Sequence, residues 1–266
     1  MKTVDKVHKR IQEHYDIVTS RGHEIVGVFL QGSQNYGLGY ENSDVDSKAV
    51  ILPSFSDFVL RVNPISTTSV LENEEHIDLK DIRLMLDCFR KQNINFVEIL
   101  FTPYKVINPK YSRFWGALTQ QREHIARYNN FAAVNCMAGM SMEKYKALEH
   151  PYPATMDKIE KFGYDPKQLH HILRLNEFIK RYVAGEPYEE CLISQNREYL
   201  IDVKKGLHTL TEARELAAST DRETRDIKTK YMAENSLCVD KGVETLLNSI
   251  LVDIIKFHFR EEVLSE

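Results

Sequence analysis

Residues 29–46 read Phe29-Leu-Gln-Gly-Ser-Gln-Asn-Tyr-Gly-Leu-Gly-Tyr-Glu-Asn-Ser-Asp-Val-Asp46. The stretch joins the end of one apolar run to the start of another through a polar, glycine-rich passage. Upstream, Glu24-Ile-Val-Gly-Val-Phe-Leu30 lies between Gly22 and Gly32-Ser33. A short, continuous apolar run bounded in this way predicts a strand buried on both faces. Downstream, Asp44-Val-Asp-Ser-Lys-Ala-Val-Ile-Leu52, stopped by Pro53, predicts a second strand. Alternation along that strand puts Asp44 and Asp46 on one face, roughly 7 Å apart between Cα atoms. Two carboxylates so placed repel each other unless a cation lies between them, and hard divalent ions with oxygen ligands are the natural occupants. Gly32 lets the backbone approach a ligand closely, and Ser33 offers a hydroxyl and an N–H at the start of a turn, which suits a phosphate.

Working outward, Val7, Ile11 and Ile17 or Val18 recur at helical spacing and predict a helix over residues 5–20. A third strand is expected from about Val70 to Asp78. Leu79, Ile82, Leu86 and Phe89 then step at helical intervals, so the chain is expected to turn from strand into amphipathic helix at Asp78. Beyond about residue 105 every legible period is helical, with turns at Pro151-Tyr-Pro153, Gly163 and Gly185-Glu-Pro187. The fold class is α+β. Residues 1–105 are read as an α/β part carrying polar loops, and residues 106–266 as a helical domain.

Holding two metal ions, or activating a hydroxyl, needs a third carboxylate. Asp78, at the end of Glu74-Glu-His-Ile-Asp78, is the best placed, with Glu75 and Asp81 as neighbours that could displace it. An aspartate where strand becomes helix is also a good N-cap and needs no metal to explain it. With all three carboxylates, one ion would lower the pKa of an attacking hydroxyl while a second carried the triphosphate and stabilised the leaving pyrophosphate.

Gly-Ser, a polar linker and then Asp-hydrophobic-Asp resembles the nucleotidyltransferase superfamily of DNA polymerase beta, whose core is a small mixed sheet followed by a helical domain. More narrowly, Gln31-Gly-Ser-Gln-Asn-Tyr-Gly37, Ser43-Asp-Val-Asp46 and Pro53 are similar to the bacterial and phage RNA-repair, or RNA-ligase-associated, nucleotidyltransferases. Asn95-Phe-Val-Glu-Ile-Leu100 and Tyr164-Asp-Pro-Lys-Gln-Leu-His-His-Ile-Leu-Arg-Leu175 fit the same group. The likeness runs from about residue 25 to about residue 185. One departure is Ser47-Lys48, where many superfamily members follow the second aspartate with a hydrophobic residue. The resemblance implies phosphate binding at Gly32 and Ser33, and metal binding and catalysis at Asp44, Asp46 and Asp78. The metal would be Mg2+ or Mn2+, as two ions, with an NTP as substrate. It leaves the acceptor open: an RNA or DNA end, a small polyol or a protein hydroxyl. A non-catalytic nucleotide-binding module is the alternative of a different class.

Lys167, His170, His171 and Arg174 fall at helical spacing on one face, which either grips triphosphate or is a solvated face with one packed histidine. Lys167 and Arg174 stay charged at neutral pH. Tyr36 either stacks on a base or plugs its turn. Glu98, inside an apolar run, is solvent-facing or buried with a basic partner, and Trp115 and the stripe from Val243 to Ile254 read as core.

Composition fits this reading. The 266 residues are 42% hydrophobic and 28% charged, with a net charge of −4, which excludes a disordered chain, a coiled coil or a disulfide-stapled miniprotein. Residues 105–181 carry 13 basic and 7 acidic side chains, so phosphate attraction is expected to be local and to need metal at the acidic cluster. Cys88, Cys136, Cys191 and Cys238 lie singly, without the close pairs of a zinc or redox site. No stretch is long and apolar enough to span a bilayer, and Met1–Asp16 lacks the apolar core of a secretory signal. The expectation is a cytoplasmic protein without a membrane partner.

Overall fold

A computed structural model describes residues 3–39 and 44–265. Ser43 and the end of the glycine-rich passage therefore lie outside the described residues. The chain divides into two compact units, one of residues 1–35, 39–128 and 239–266, the other of residues 36–38 and 129–238.

The first unit is built on a five-stranded sheet. Its strands are β1 (Glu24–Leu30), β2 (Ser47–Leu52), β3 (Ser66–Val70), β4 (His76–Asp81) and β5 (Lys105–Ile107), in the order β3-β4-β2-β1-β5. β2 and β4 run parallel and every other pair is antiparallel, so the sheet is mixed. Helix α1 (Thr3–Ser20) lays Val7, Ile11 and Val18 against Ile25, Val28, Leu30, Ala49, Ile51, Ile77 and Leu79. Ile25 and Val28 share that face because the β1 register shifts between Ile25 and Gly27. On the other face Phe29 stacks on Trp115 with ring centroids 4.1 Å apart. Gly27 makes room for this, since a Cβ there would stand 2.8 Å from the Phe29 ring and 2.9 Å from the Val106 carbonyl. β1 is buried from Ile25 to Leu30 and β2 from Ser47 to Leu52, as the apolar runs require.

Three expectations are corrected. The run from Val70 to Asp78 is not one strand but a hairpin corner: polar, exposed β3 ends at Val70 and β4 begins at His76. The helix begins after Asp81 rather than at Asp78. Asp81 is its N-cap, accepting the Arg83 N–H at 2.8 Å, and Ile82, Met85, Leu86 and Phe89 form its buried face. Finally, β5 lies in the region read as wholly helical.

The unit boundaries also differ from a division at residue 105, because residues 106–128 and the C-terminal helix Lys241–Ser265 pack with the sheet unit. Glu244 accepts from Arg90 at 3.1 Å and from Tyr128 at 2.6 Å, and His258 Nε2 donates to the Pro53 carbonyl at 3.0 Å. Periodicity marks an apolar helical face but not the partner that covers it. The second unit gathers the helices Asn130–Ala147, Pro166–Val183, Arg197–Lys204 and Leu210–Glu234 around Tyr164, Leu169, Ile172, Val203, Ala213 and Ala217.

Candidate active site

The glycine-serine turn leaves the C-terminal end of β1. Gly32 has φ +89°, a left-handed conformation that side chains disfavour, and nothing lies within 4 Å of where its Cβ would be. Glycine is thus required by the backbone bend, with open space beside it. Ser33 opens a short 3-10 turn, Ser33–Tyr36. The Asn35 side chain braces that turn, donating to the Leu30 carbonyl at 2.8 Å and accepting from Thr102 Oγ1 at 2.7 Å. Glu98, which sequence left between two readings, is buried, and its Oε1 accepts the Gly32 N–H at 3.2 Å.

The acidic motif lies directly against this turn. Gln31 N–H donates to the Asp46 carbonyl at 3.0 Å, and Gln34 Nε2 to the Asp44 carbonyl at 3.3 Å. Regular strand pairing starts only at Ser47, yet alternation already holds, with Asp44 exposed, Val45 fully buried and Asp46 half-exposed. Both aspartates therefore stand on the face opposite Val45.

On that face Asp46 and Asp78 each meet a basic side chain. Asp46 Oδ1 accepts the His76 backbone N–H at 2.8 Å and lies 3.1 Å from His76 Nδ1. Asp78 sits opposite Lys48 in the parallel β2–β4 register, and its Oδ2 accepts from Lys48 Nζ at 3.0 Å. Lys48 is buried over the Phe96 ring, 4.1 Å from its centroid, with Lys80 4.7 Å from the same ring. Burial pulls the Lys48 pKa down against the opposing pull of Asp78. The departure Ser47-Lys48 thus has a consequence, since it supplies an internal counter-ion to the proposed third carboxylate. Asp81 is committed to its helix N-cap and to Arg83, and Glu75 is turned to the opposite face of the sheet, toward α1. Among the described residues no group of three or more His, Cys, Asp or Glu side chains is gathered as metal ligands. Asp44 and Asp46 offer the hard oxygen donors that suit Mg2+ or Mn2+, whereas Asp78 joins them only if Lys48 yields Oδ2.

A family model for the RNA repair pathway DNA polymerase beta family matches residues 7–237. The chain belongs to that family. This RNA repair pathway polymerase beta-type chain accordingly has a nucleotidyltransferase fold, with the mixed sheet and helices expected of it. A search of curated proteins returned no match.

The remaining predicted site residues of this family member stand in the helical unit. Asp165 caps the helix Pro166–Val183 by accepting the Lys167 N–H at 2.9 Å, and Pro166 occupies its first turn. Lys167 is exposed. His170 is the packed histidine: its Nδ1 donates to the Leu200 carbonyl at 2.8 Å, and burial takes its pKa down to about 4. Burial, then Arg174 and the other neighbouring positive groups, hold His171 well below its ordinary pKa, so it is neutral at pH 7. Arg174 is buried over the Tyr36 ring, 3.8 Å from its centroid, which makes Tyr36 a covered ring.

Proposed function

We propose that this chain is a metal-dependent nucleotidyltransferase that transfers NMP from an NTP to the terminal hydroxyl of an RNA, releasing pyrophosphate. The supporting observation is the juxtaposition of the Gly32-Ser33 turn with Asp44 and Asp46 through the Gln31 and Gln34 hydrogen bonds. It puts a backbone bend open to a phosphate beside two carboxylates on one face. Family membership supports the transfer chemistry, and the family's RNA-repair character supports an RNA acceptor.

In this reading the acceptor oxygen attacks the α-phosphorus, the bond to the bridging oxygen of the β-phosphate breaks, and pyrophosphate leaves in line. A pair of bound Mg2+ or Mn2+ ions would supply charge neutralisation and lower the pKa of the attacking hydroxyl. Asp44 and Asp46 would hold them. Asp78 completes the acidic set and accepts the proton of the hydroxyl. Gly32 and Ser33 orient the triphosphate, and Glu98 keeps their turn in shape. Lys167 and Arg174 bring fixed positive charge to nucleotide binding, His171 acts as a neutral hydrogen-bonding group, and Tyr36 holds Arg174 in place.

The test incubates the protein with each labelled NTP, Mg2+ or Mn2+, and RNA, DNA or a small polyol. RNA gains the label, and the affinity for RNA falls steeply as salt rises. Asp44→Ala and Asp46→Ala reduce transfer to background while the far-UV circular dichroism stays unchanged. Pyrophosphate release at the wild-type rate by the double variant, or nucleotide binding without turnover under every condition, overturns the reading.

A further inference from the structure

A buried polar network lies behind the acidic motif, on the face of the sheet covered by α1. Glu75, the residue before β4, is its centre. Glu75 Oε2 accepts from Arg10 Nε at 2.7 Å, from Arg10 Nη2 at 2.5 Å and from His14 Nε2 at 3.1 Å. Its Oε1 accepts the backbone N–H of Val45 at 3.3 Å. The second nitrogen of His14 lies 2.9 Å from Ser47 Oγ. A carboxylate can only accept, so His14 Nε2 carries the proton and Nδ1 accepts from the Ser47 hydroxyl. Burial lowers the His14 pKa despite the opposing pull of Glu75, which keeps the ring neutral at pH 7. Burial pushes Glu75 upward, but the hydrogen bonds from Arg10, Asn73 and His14 and the charge of Arg10 outweigh it, so Glu75 is ionised.

The residue types Ser, His and Glu in hydrogen-bonded sequence match those of a hydrolytic triad. Ser47 and His14 are both 0% exposed, however, so no substrate reaches the hydroxyl. What the network does touch is the two residues on either side of Asp46. Glu75 holds the peptide N–H of Val45, and His14 holds the side chain of Ser47. The next residue of β4, His76, meets Asp46 from the other face through its backbone N–H.

We infer that Glu75 is a positioning residue that fixes the Asp44-Val45-Asp46 backbone, setting both carboxylates for a divalent ion before the ion arrives. Arg10 and His14, one turn apart on α1, hold Glu75 for that task. The inference rests on the metal-dependent reading above. It makes α1, thirty residues before the motif, a supporting element of the site.

The test measures Mn2+ binding to the full chain without nucleotide, by electron paramagnetic resonance, alongside steady-state transfer. Glu75→Gln and Arg10→Met each weaken Mn2+ binding about tenfold, as loss of a group that orients metal ligands does. Both lower kcat at limiting metal and leave the KM for NTP unchanged at saturating metal. Ile11→Val, a buried trim on the same helix whose apolar side chain hydrogen-bonds none of these groups, loses thermal stability but binds Mn2+ as the wild type does. Wild-type Mn2+ affinity in folded Glu75→Gln, or equal weakening in Ile11→Val, overturns the inference. Should Glu75→Gln fail to fold, Arg10→Met decides, because its side chain is partly exposed. If Asp46→Asn binds Mn2+ as tightly as the wild type, the metal-dependent reading itself falls, and this inference with it.

Discussion

Lys48 and Asp78 illustrate how one side chain changes the meaning of another. The lysine side chain is 5% exposed and the aspartate 18%, with Nζ and Oδ2 3.0 Å apart. Removing one partner of such a pair strands the other, which costs more than removing both. Lys48→Met is expected to lower stability by about 3 kcal/mol, and adding Asp78→Asn to recover at least half of that loss. Urea unfolding of the two single variants and the double variant checks this, and additive losses would deny the coupling. The same pair marks the limit of what the site discloses in sequence. The placing of Gly32 and Ser33 beside Asp44 and Asp46 is legible because a short loop joins them and strand alternation sets the two carboxylates on one face. Lys48 opposite Asp78, Glu75 behind Val45 and Glu98 on Gly32 depend on β2–β4 pairing and on chain returning from 30 or 66 residues away, which no local pattern encodes.

At the scale of elements, legibility follows the strength of the local signal. The helix Pro166–Val183 shows in the helical spacing of Lys167, His170, His171 and Arg174, and Asp165 caps it, buried while accepting from Lys167 N–H and Gln168 Nε2. Asp165→Ala should therefore lower stability by about 1–2 kcal/mol, at the upper end for a cap because the aspartate itself is buried. Thermal unfolding measures it, and a shift within error of zero would mean that water replaces the cap. The edge strands lack any comparable signal. β3 is Ser-Thr-Thr-Ser-Val, largely exposed, and owes its conformation to pairing with β4 rather than to a buried face. β5 is three residues long and exists because Gly27 to Phe29 offer it an edge. Short or polar strands become readable only once the sheet beside them is known.

The whole molecule combines a weakly acidic net charge with several histidines that are neutral because they are buried. The basic excess of residues 105–181 proves to be shared between units. Five basic and one acidic side chains fall in residues 105–128, which belong to the sheet unit, so most of the excess accompanies the acidic motif within that unit. Charge runs in sequence thus need not follow unit boundaries. The histidines set the pH response. His14 and His258 in the sheet unit, and His170 and His171 in the helical unit, all have pKa values lowered chiefly by burial. An unfolded histidine takes up a proton near pH 6.5, whereas folded His170 refuses it until about pH 4. The unfolded state therefore binds more protons over that window, and acid favours unfolding. Their contribution is fully present above pH 6.5 and shrinks as pH falls through it. At pH 5 His170 alone removes about 2 kcal/mol, a sizeable part of a typical stability of about 5–15 kcal/mol. Urea midpoints measured at pH 7.5, 6 and 5 should fall monotonically, and His170→Gln, less stable at pH 7.5, should show a shallower decline. A midpoint that stays level from pH 7.5 to 5 would mean that these rings gain protons without leaving their buried sites. The neutral interior of both units would then not be what makes the fold acid-labile.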